Sequence, residues 1–345
     1  MDAGELIRRC RVDPSIDRVE MGGVRFPLGV YPVEPMTPVQ GYVVEFESSD
    51  ADSEPLSDEA DWQFWPDRYV YDVVVSAERI PPLCRQVLAM MPARVYPIFD
   101  YIGRDAFREI DPYISYDLLG QDRVAATIRR YSPFFFEDGL CGFGAMSEDP
   151  FAYFFLDEHK IMTIRVEPDL REGVERILSA FRLEQVAEPA GADSAAHEHR
   201  TVLVTPEDEP DMLSADEVVE WLREEWRLML NVDPEANVDD AGRSLGDTPY
   251  RCLLRLEPSE PEGAPRYGEV IVVASCLAEA EDLAFDAAGG WQATSGDNGD
   301  GEIEPVIVSA DRMTASQLGE ALGHSRPDET TVGEAPSILR ARLLE

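Results

Sequence analysis

Residues 137–160 hold the side-chain types that nucleophilic or acid–base chemistry needs. Glu137 and Asp138 precede Cys141, and Asp157, Glu158, His159 and Lys160 form one short run after it. Strands over 140–146, 151–156 and 161–166 would make an antiparallel meander, with Cys141 opposite Leu156. Its end would then carry four carboxylates, an imidazole, a thiol and an ammonium. Cys141, His159 and Lys160 are therefore the candidate catalytic residues. Nucleophilic attack by Cys141 would need His159 within ~3 Å and a neighbour to hold the imidazole. A base or Schiff-base role for Lys160 would need burial to depress its pKa. Carboxylates this dense keep both cations charged, so the expected finding is a polar hairpin tip with Lys160 solvated and ion-paired.

Two other stretches have ligand-like spacing. His197-Glu198-His199 offers two imidazoles, in a segment rich in Ala, Pro, Gly and Ser, with no second ligand pair beside it in sequence. Asp233, Glu235, Asn237 and Asp239 place oxygen atoms at alternate positions, as the start of a calcium loop does. However, Val238 stands where such a loop needs glycine, and Ser244 where it needs a bidentate glutamate. The sequence thus assigns no metal site; these four residues come nearest to one. It assigns no cofactor either. Gly142 and Gly144 lie in a strand and open no helix, and the Walker A, HExxH and GxSxG patterns are absent. Aromatic candidates are a binding anchor at Trp62, Phe64 and Trp65, read first as core, and the loop from Asp111 to Asp117 with Tyr113 and Tyr116.

Composition narrows the partners. Lys160 is the only lysine among 30 basic residues, set against 69 acidic ones, for a net charge of −39 over 345 residues. The scarcity of lysine and asparagine fits a GC-rich genome, and the carboxylate excess fits a saline cytoplasm. Nucleic acid and anionic membranes, which are bound by neutralising negative charge, are excluded as partners; a protein partner of basic character fits. No apolar run approaches the ~20 residues of a membrane helix, and no secretory leader opens the chain. Five scattered cysteines without metal-type spacing point to a reducing cytoplasm.

The elements that must position these residues read as α+β in two domains. Residues 1–187 form a mostly antiparallel sheet with helices, with an acidic loop over 47–61. Residues 188–199 read as a linker. Residues 200–325 read β-α-β-β-α-β from Thr201, a ferredoxin-like, split βαβ sandwich. Its first helix is expected over 214–230, capped by Ser214 and Glu217. Residues 326–345 form a tail in which Ile338, Leu339, Leu343 and Leu344 would dock as a short helix. Without a strong catalytic motif, the expected function is a binding or regulatory protein acting through protein contacts. The alternative is an enzyme of unusual type at the meander tip.

Overall fold

The computed structural model describes residues 9–49, 65–206, 208–209, 212–257, 265–294, 304–323 and 336–344. Most of the acidic loop, together with Trp62 and Phe64, lies outside the described residues. The chain is α+β, with helices and antiparallel sheets. It divides into two compact units, Met1–Tyr101 with Pro112–Asn231, and Ile102–Asp111 with Val232–Glu345.

The first unit begins with β1 (Glu20–Met21) and β2 (Val24–Arg25), a hairpin about Gly22-Gly23, followed by β3 (Val30–Pro32) and β4 (Gly41–Glu47). β5 (Arg68–Val74), α1 (Ile80–Met90), β6 (Arg94–Tyr101), β7 (Asp111–Ser115) and β8 (Leu119–Gly120) come next. Then follow α2 (Gln121–Arg130), α3 (Ser132–Glu137), β9 (Cys141–Glu148), β10 (Phe151–Leu156), β11 (Met162–Val166) and α4 (Arg171–Ala180). The unit closes with β12 (His197–His199), α5 (Ala215–Glu225) and β13 (Leu228–Leu230). Its main sheet has the order β13-β7-β6-β9-β10-β11-β5-β4, with β8 on β6, while β12 pairs with β3.

The meander is β9-β10-β11, but its register differs from the expected one. Leu156 faces Phe143, and Cys141 faces Tyr101 on β6. A shift of two residues keeps every side chain on the same sheet face, since side chains alternate with period two. Alternation therefore constrains the face and leaves the register to the turn.

Apolar spacing in α1 buries Ile80, Leu83, Val87 and Leu88 on one face. The short α3 buries Phe134, Phe135 and Phe136 together. Phe135 stacks on Trp226 with ring centroids 5.6 Å apart and meets Phe143 at 4.5 Å. Trp226 thus places the end of α5 in the first unit's core, beside Val218 and Leu222. The capping box of Ser214 and Glu217 forms as read. The helix itself ends earlier than its apolar periodicity predicts. Arg227 adopts φ 52°, and Leu228–Leu230 continues as a strand on β7, leaving Met229 exposed.

The second unit consists of β14 (Thr248–Glu257), β15 (Arg266–Ala274), α6 (Leu277–Thr294), β16 (Glu304–Arg312), α7 (Ala315–Ala321) and β17 (Ser337–Leu343). Its antiparallel sheet has the order β16-β14-β15-β17. Ala280, Ala284 and Ala288, all buried, form a small-residue seam that lets α6 lie close to the sheet. Two expectations differ from this arrangement. The chain order here is β-β-α-β-α-β, because residues 201–205 form no strand beyond a single bridge of Leu203 to Val12, and the helix that follows them belongs to the first unit. The tail forms β17 rather than a helix, since its backbone pairs with β15 and its arginines reach Glu269. Residues 188–199 likewise do not lie free. Their polar backbone is paired, through β12, with Val30–Pro32.

Candidate metal centre at the meander tip

The turn between β10 and β11 is closed by its own backbone. Lys160 N–H donates to the Asp157 carbonyl at 3.0 Å, and Ile161 N–H donates to Asp157 Oδ1 at 2.7 Å. Lys160 sits at φ 63°, a left-handed conformation that costs a lysine about 1–2 kcal/mol. Its side chain turns under the loop instead of into solvent and is only 3% exposed. The ammonium donates to the Cys141 carbonyl and lies 3.7 Å from Cys141 Sγ. The expected solvated ion pair is therefore replaced by a buried cation, which needs compensating partners. Asp138 lies within electrostatic range of it without a direct contact. It is fully buried and accepts hydrogen bonds from Leu140 N–H, Thr201 Oγ1 and Val202 N–H at 2.8–3.0 Å. Burial raises its pKa, against the pull of those donors and of Lys160.

Cys141 points into the core. Its thiol donates to the Phe134 carbonyl at 3.4 Å, and burial pushes its pKa up to about 12. A thiol held protonated in this way is a poor nucleophile.

His159 follows a different path from its neighbour Lys160. Its Nε2 lies 3.0 Å from Nε2 of His197, and its ring centroid is 4.8 and 4.9 Å from those of His197 and His199. The His197 and His199 rings are 5.0 Å apart. All three pairs are edge-on, with interplanar angles of 73–77°. His197 and His199 face the same way because they are two residues apart on one strand. Strand β12 is held by pairing His197 with Pro32 and His199 with Val30. Beside it, residues 29, 139 and 200 come into backbone contact: Gly139 N–H donates to the Arg200 carbonyl at 3.1 Å, and Arg200 N–H to the Gly29 carbonyl at 2.8 Å. A Cβ on Gly139 would lie 1.9 Å from the Gly29 oxygen, so glycine is required for this approach.

The second nitrogen of each ring is also directed at oxygen. His197 Nδ1 lies 2.8 Å from the Ala195 carbonyl and His199 Nδ1 lies 2.7 Å from the Gly139 carbonyl. His159 Nδ1 faces Glu158 at 3.4 Å and Asp157 at 3.8 Å. Carbonyls only accept, so Nδ1 of His197 and of His199 carries the proton and their Nε2 lone pairs are left free to accept a proton or a cation. The ligand nitrogens of the three histidines all lie within 4.8 Å of one another, and each residue is half-buried. Burial opposes charging of His159, but Asp157 and Glu158 outweigh it and hold its pKa above the usual imidazole range. Burial lowers that of His199, assisted by the neighbouring imidazoles and Lys160.

The other sequence candidates are placed elsewhere, in the second unit. Asp233 accepts from Glu235 N–H, and Asp239 accepts from the amides of Ala241 and Arg243 and pairs with the Arg243 guanidinium at 2.6 Å. Asn237 donates to the Gly246 carbonyl at 2.6 Å and to Thr248 Oγ1 at 2.9 Å, while its oxygen faces Arg312. These groups are engaged by the protein itself. Among the described residues, the two groups of metal-binding side chains that come together are the three histidines and Asp157-Glu158-His159. No helix among the described residues is long and apolar enough to cross a membrane. Compared with known proteins, the chain matches no family model, no curated protein and no solved structure.

Proposed function

We propose that the protein binds a divalent first-row transition ion, zinc foremost, on Nε2 of His159, His197 and His199, and acts through that centre. The observation that carries this is the 3.0 Å approach of two Nε2 atoms whose partner nitrogens both face acceptors. The His197 lone pair at that distance is met by a proton on His159 Nε2 in the metal-free protein, and a cation that displaces that proton would also take up the His199 imidazole. Nitrogens about 2.0–2.1 Å from one tetrahedral zinc stand about 3.3 Å from each other. The separations in the cluster, from 3.0 Å to at most 4.8 Å, bracket that value. Nδ1 partners of the kind found here orient metal-ligating histidines and raise their basicity.

Three imidazoles leave one position of a tetrahedral ion open, as in zinc sites that do chemistry. Such an ion supplies an activated water or polarises a carbonyl. Ala195, Gly139, Asp157 and Glu158 orient the three imidazoles. This favours an enzyme with its site near residues 137–160 over a regulatory protein acting through protein contacts. Within that enzyme, His159 is the participating residue, while Lys160 and Cys141 are joined to each other in the core. Five free, buried cysteines support a reducing, cytoplasmic location.

The test is titration of metal-free, full-length protein with Co2+ and Zn2+, followed by absorbance and calorimetry. The expected result is one ion per chain with a nitrogen-rich Co2+ spectrum. A folded His159→Ala/His197→Ala/His199→Ala variant that binds as the parent does would remove the centre.

A further inference from the structure

We infer that the second unit carries a separate anion site: the cavity between α7 and the sheet takes a small organic molecule bearing at least two oxyanionic charges, phosphoryl or carboxylate. The cavity has a volume of about 620 Å³. That suits a metabolite-sized ligand and exceeds what an inorganic ion fills, since ligand pockets usually run to roughly 300–1,000 Å³.

Glu269 on β15 organises the floor. Its side chain is 2% exposed, and one oxygen meets Arg251 at 2.7 Å while the other meets Arg340 at 2.6 Å and Arg342 at 3.0 Å. One carboxylate cancels one guanidinium, so two positive charges remain around it. The cross-strand register explains the convergence: Arg342 stands opposite Glu269, and Arg251 and Arg340 both stand opposite Ile271, two residues along. The cavity wall holds two further arginines, Arg104 and Arg312, and two further carboxylates, Asp311 and Glu320. Arg312 is engaged by Asp105 at 2.9 Å. Asp311 is turned to Ser309 Oγ at 3.0 Å, and burial makes it easier to protonate.

The excess of guanidinium is notable in a chain of net charge −39, where arginine is outnumbered more than two to one by carboxylates. An ion network that served packing alone would match charges; here like charges are held together around a single acid. Arg340 adds an Nε that is buried without a partner. Arg342 and Arg251 keep about half of their side-chain surface open, 52% and 46%. Planar guanidiniums with free N–H groups suit paired oxygens of phosphate or carboxylate.

The probes are pyrophosphate and citrate, with chloride at matched ionic strength as the reference. Each is titrated calorimetrically into the full chain and into a His197→Ala variant, which separates this site from anion binding through a metal. We expect saturable one-to-one binding in both proteins and at least tenfold weakening by Arg342→Gln. Glu269→Gln, which removes the internal competing anion, should tighten binding. Preference for pyrophosphate would assign a phosphoryl ligand, and preference for citrate a carboxylate one. Heats no larger than those of chloride, or binding unchanged in folded Arg342→Gln, would overturn the proposal.

Discussion

Nε2 of His159 and Nε2 of His197 lie 3.0 Å apart although the residues are 38 positions apart in the chain. One arrives on the β10–β11 turn and the other on β12, which is anchored by β3. No covalent link or shared strand joins the two segments. A cation on these nitrogens would therefore tie the small β3–β12 ladder to the meander.

Removal of metal should accordingly lower stability, as well as any activity. A ligand held by the native state alone stabilises it by about 2.7 kcal/mol when present at 100 times its Kd. Melting temperature measured with a saturating Zn2+ buffer and after chelation should differ by several degrees in the parent protein. The difference should vanish in His159→Ala/His197→Ala. Equal shifts in both proteins would mean that the ion acts elsewhere.

Lys160→Met tests the buried cation. The substitution keeps most of the side-chain volume but leaves the Cys141 carbonyl without its donor and removes the nearby charge from Asp138. Leaving a buried acceptor without its donor costs about 1–3 kcal/mol. Urea unfolding should show a loss of that order, and adding Asp138→Asn should restore part of it. An additive double variant would show that Lys160 and Asp138 do not compensate one another.

The case of Lys160 also shows what the sequence could disclose. The meander and the α5 capping box are legible because each rests on a local rule: period-two alternation and a Ser-x-x-Glu cap. The left-handed turn at Lys160 leaves no such mark, so the lysine read as solvated. His159 and the His197–His199 pair were each visible as chemistry, but their convergence depends on the contact among residues 29, 139 and 200. That contact is non-local, and its sequence trace is two glycines, at 29 and 139, among many. Segment 188–199 looked like a linker because Ala, Pro and Ser say nothing about whether a backbone finds a strand partner. The Arg251, Arg340 and Arg342 cluster is likewise invisible until β17 is paired with β15.

Asp100 on β6 should set a pH dependence. Burial, with Glu158 and Asp157 adding to it, pushes its pKa up to about 7. The native state then holds this proton more tightly than the unfolded chain does, whose carboxyl titrates near 4. Protons are lost from the native state at a cost, so this contribution to stability falls as pH rises from about 4 to about 7. Asp100→Asn removes the effect. A tenfold change in a protonation equilibrium is worth about 1.4 kcal/mol. The variant should therefore be more stable than the parent at pH 8, by on the order of 2 kcal/mol, and similar at pH 4. A pH-independent difference would assign the effect to packing.

Gly139→Ala tests the contact that brings β12 to the meander. The new methyl would lie 1.9 Å from the Gly29 oxygen and 2.5 Å from its carbonyl carbon, both backbone atoms that cannot rotate away. The control is Gly173→Ala in α4, where the nearest atom is the sulfur of Met90 at 3.0 Å, on a flexible side chain. In a helix, alanine is favoured over glycine by about 1 kcal/mol, so the control should unfold near or above the parent in urea. Gly139→Ala should lose at least 3 kcal/mol, roughly, as overpacking against fixed backbone does at its upper end. It should also displace the Gly139 carbonyl that accepts from His199 Nδ1. Co2+ affinity of the folded variant should therefore fall at least tenfold, while Gly173→Ala binds as the parent. If Gly139→Ala lost stability but kept its cobalt affinity, the carbonyl would not be what orients His199.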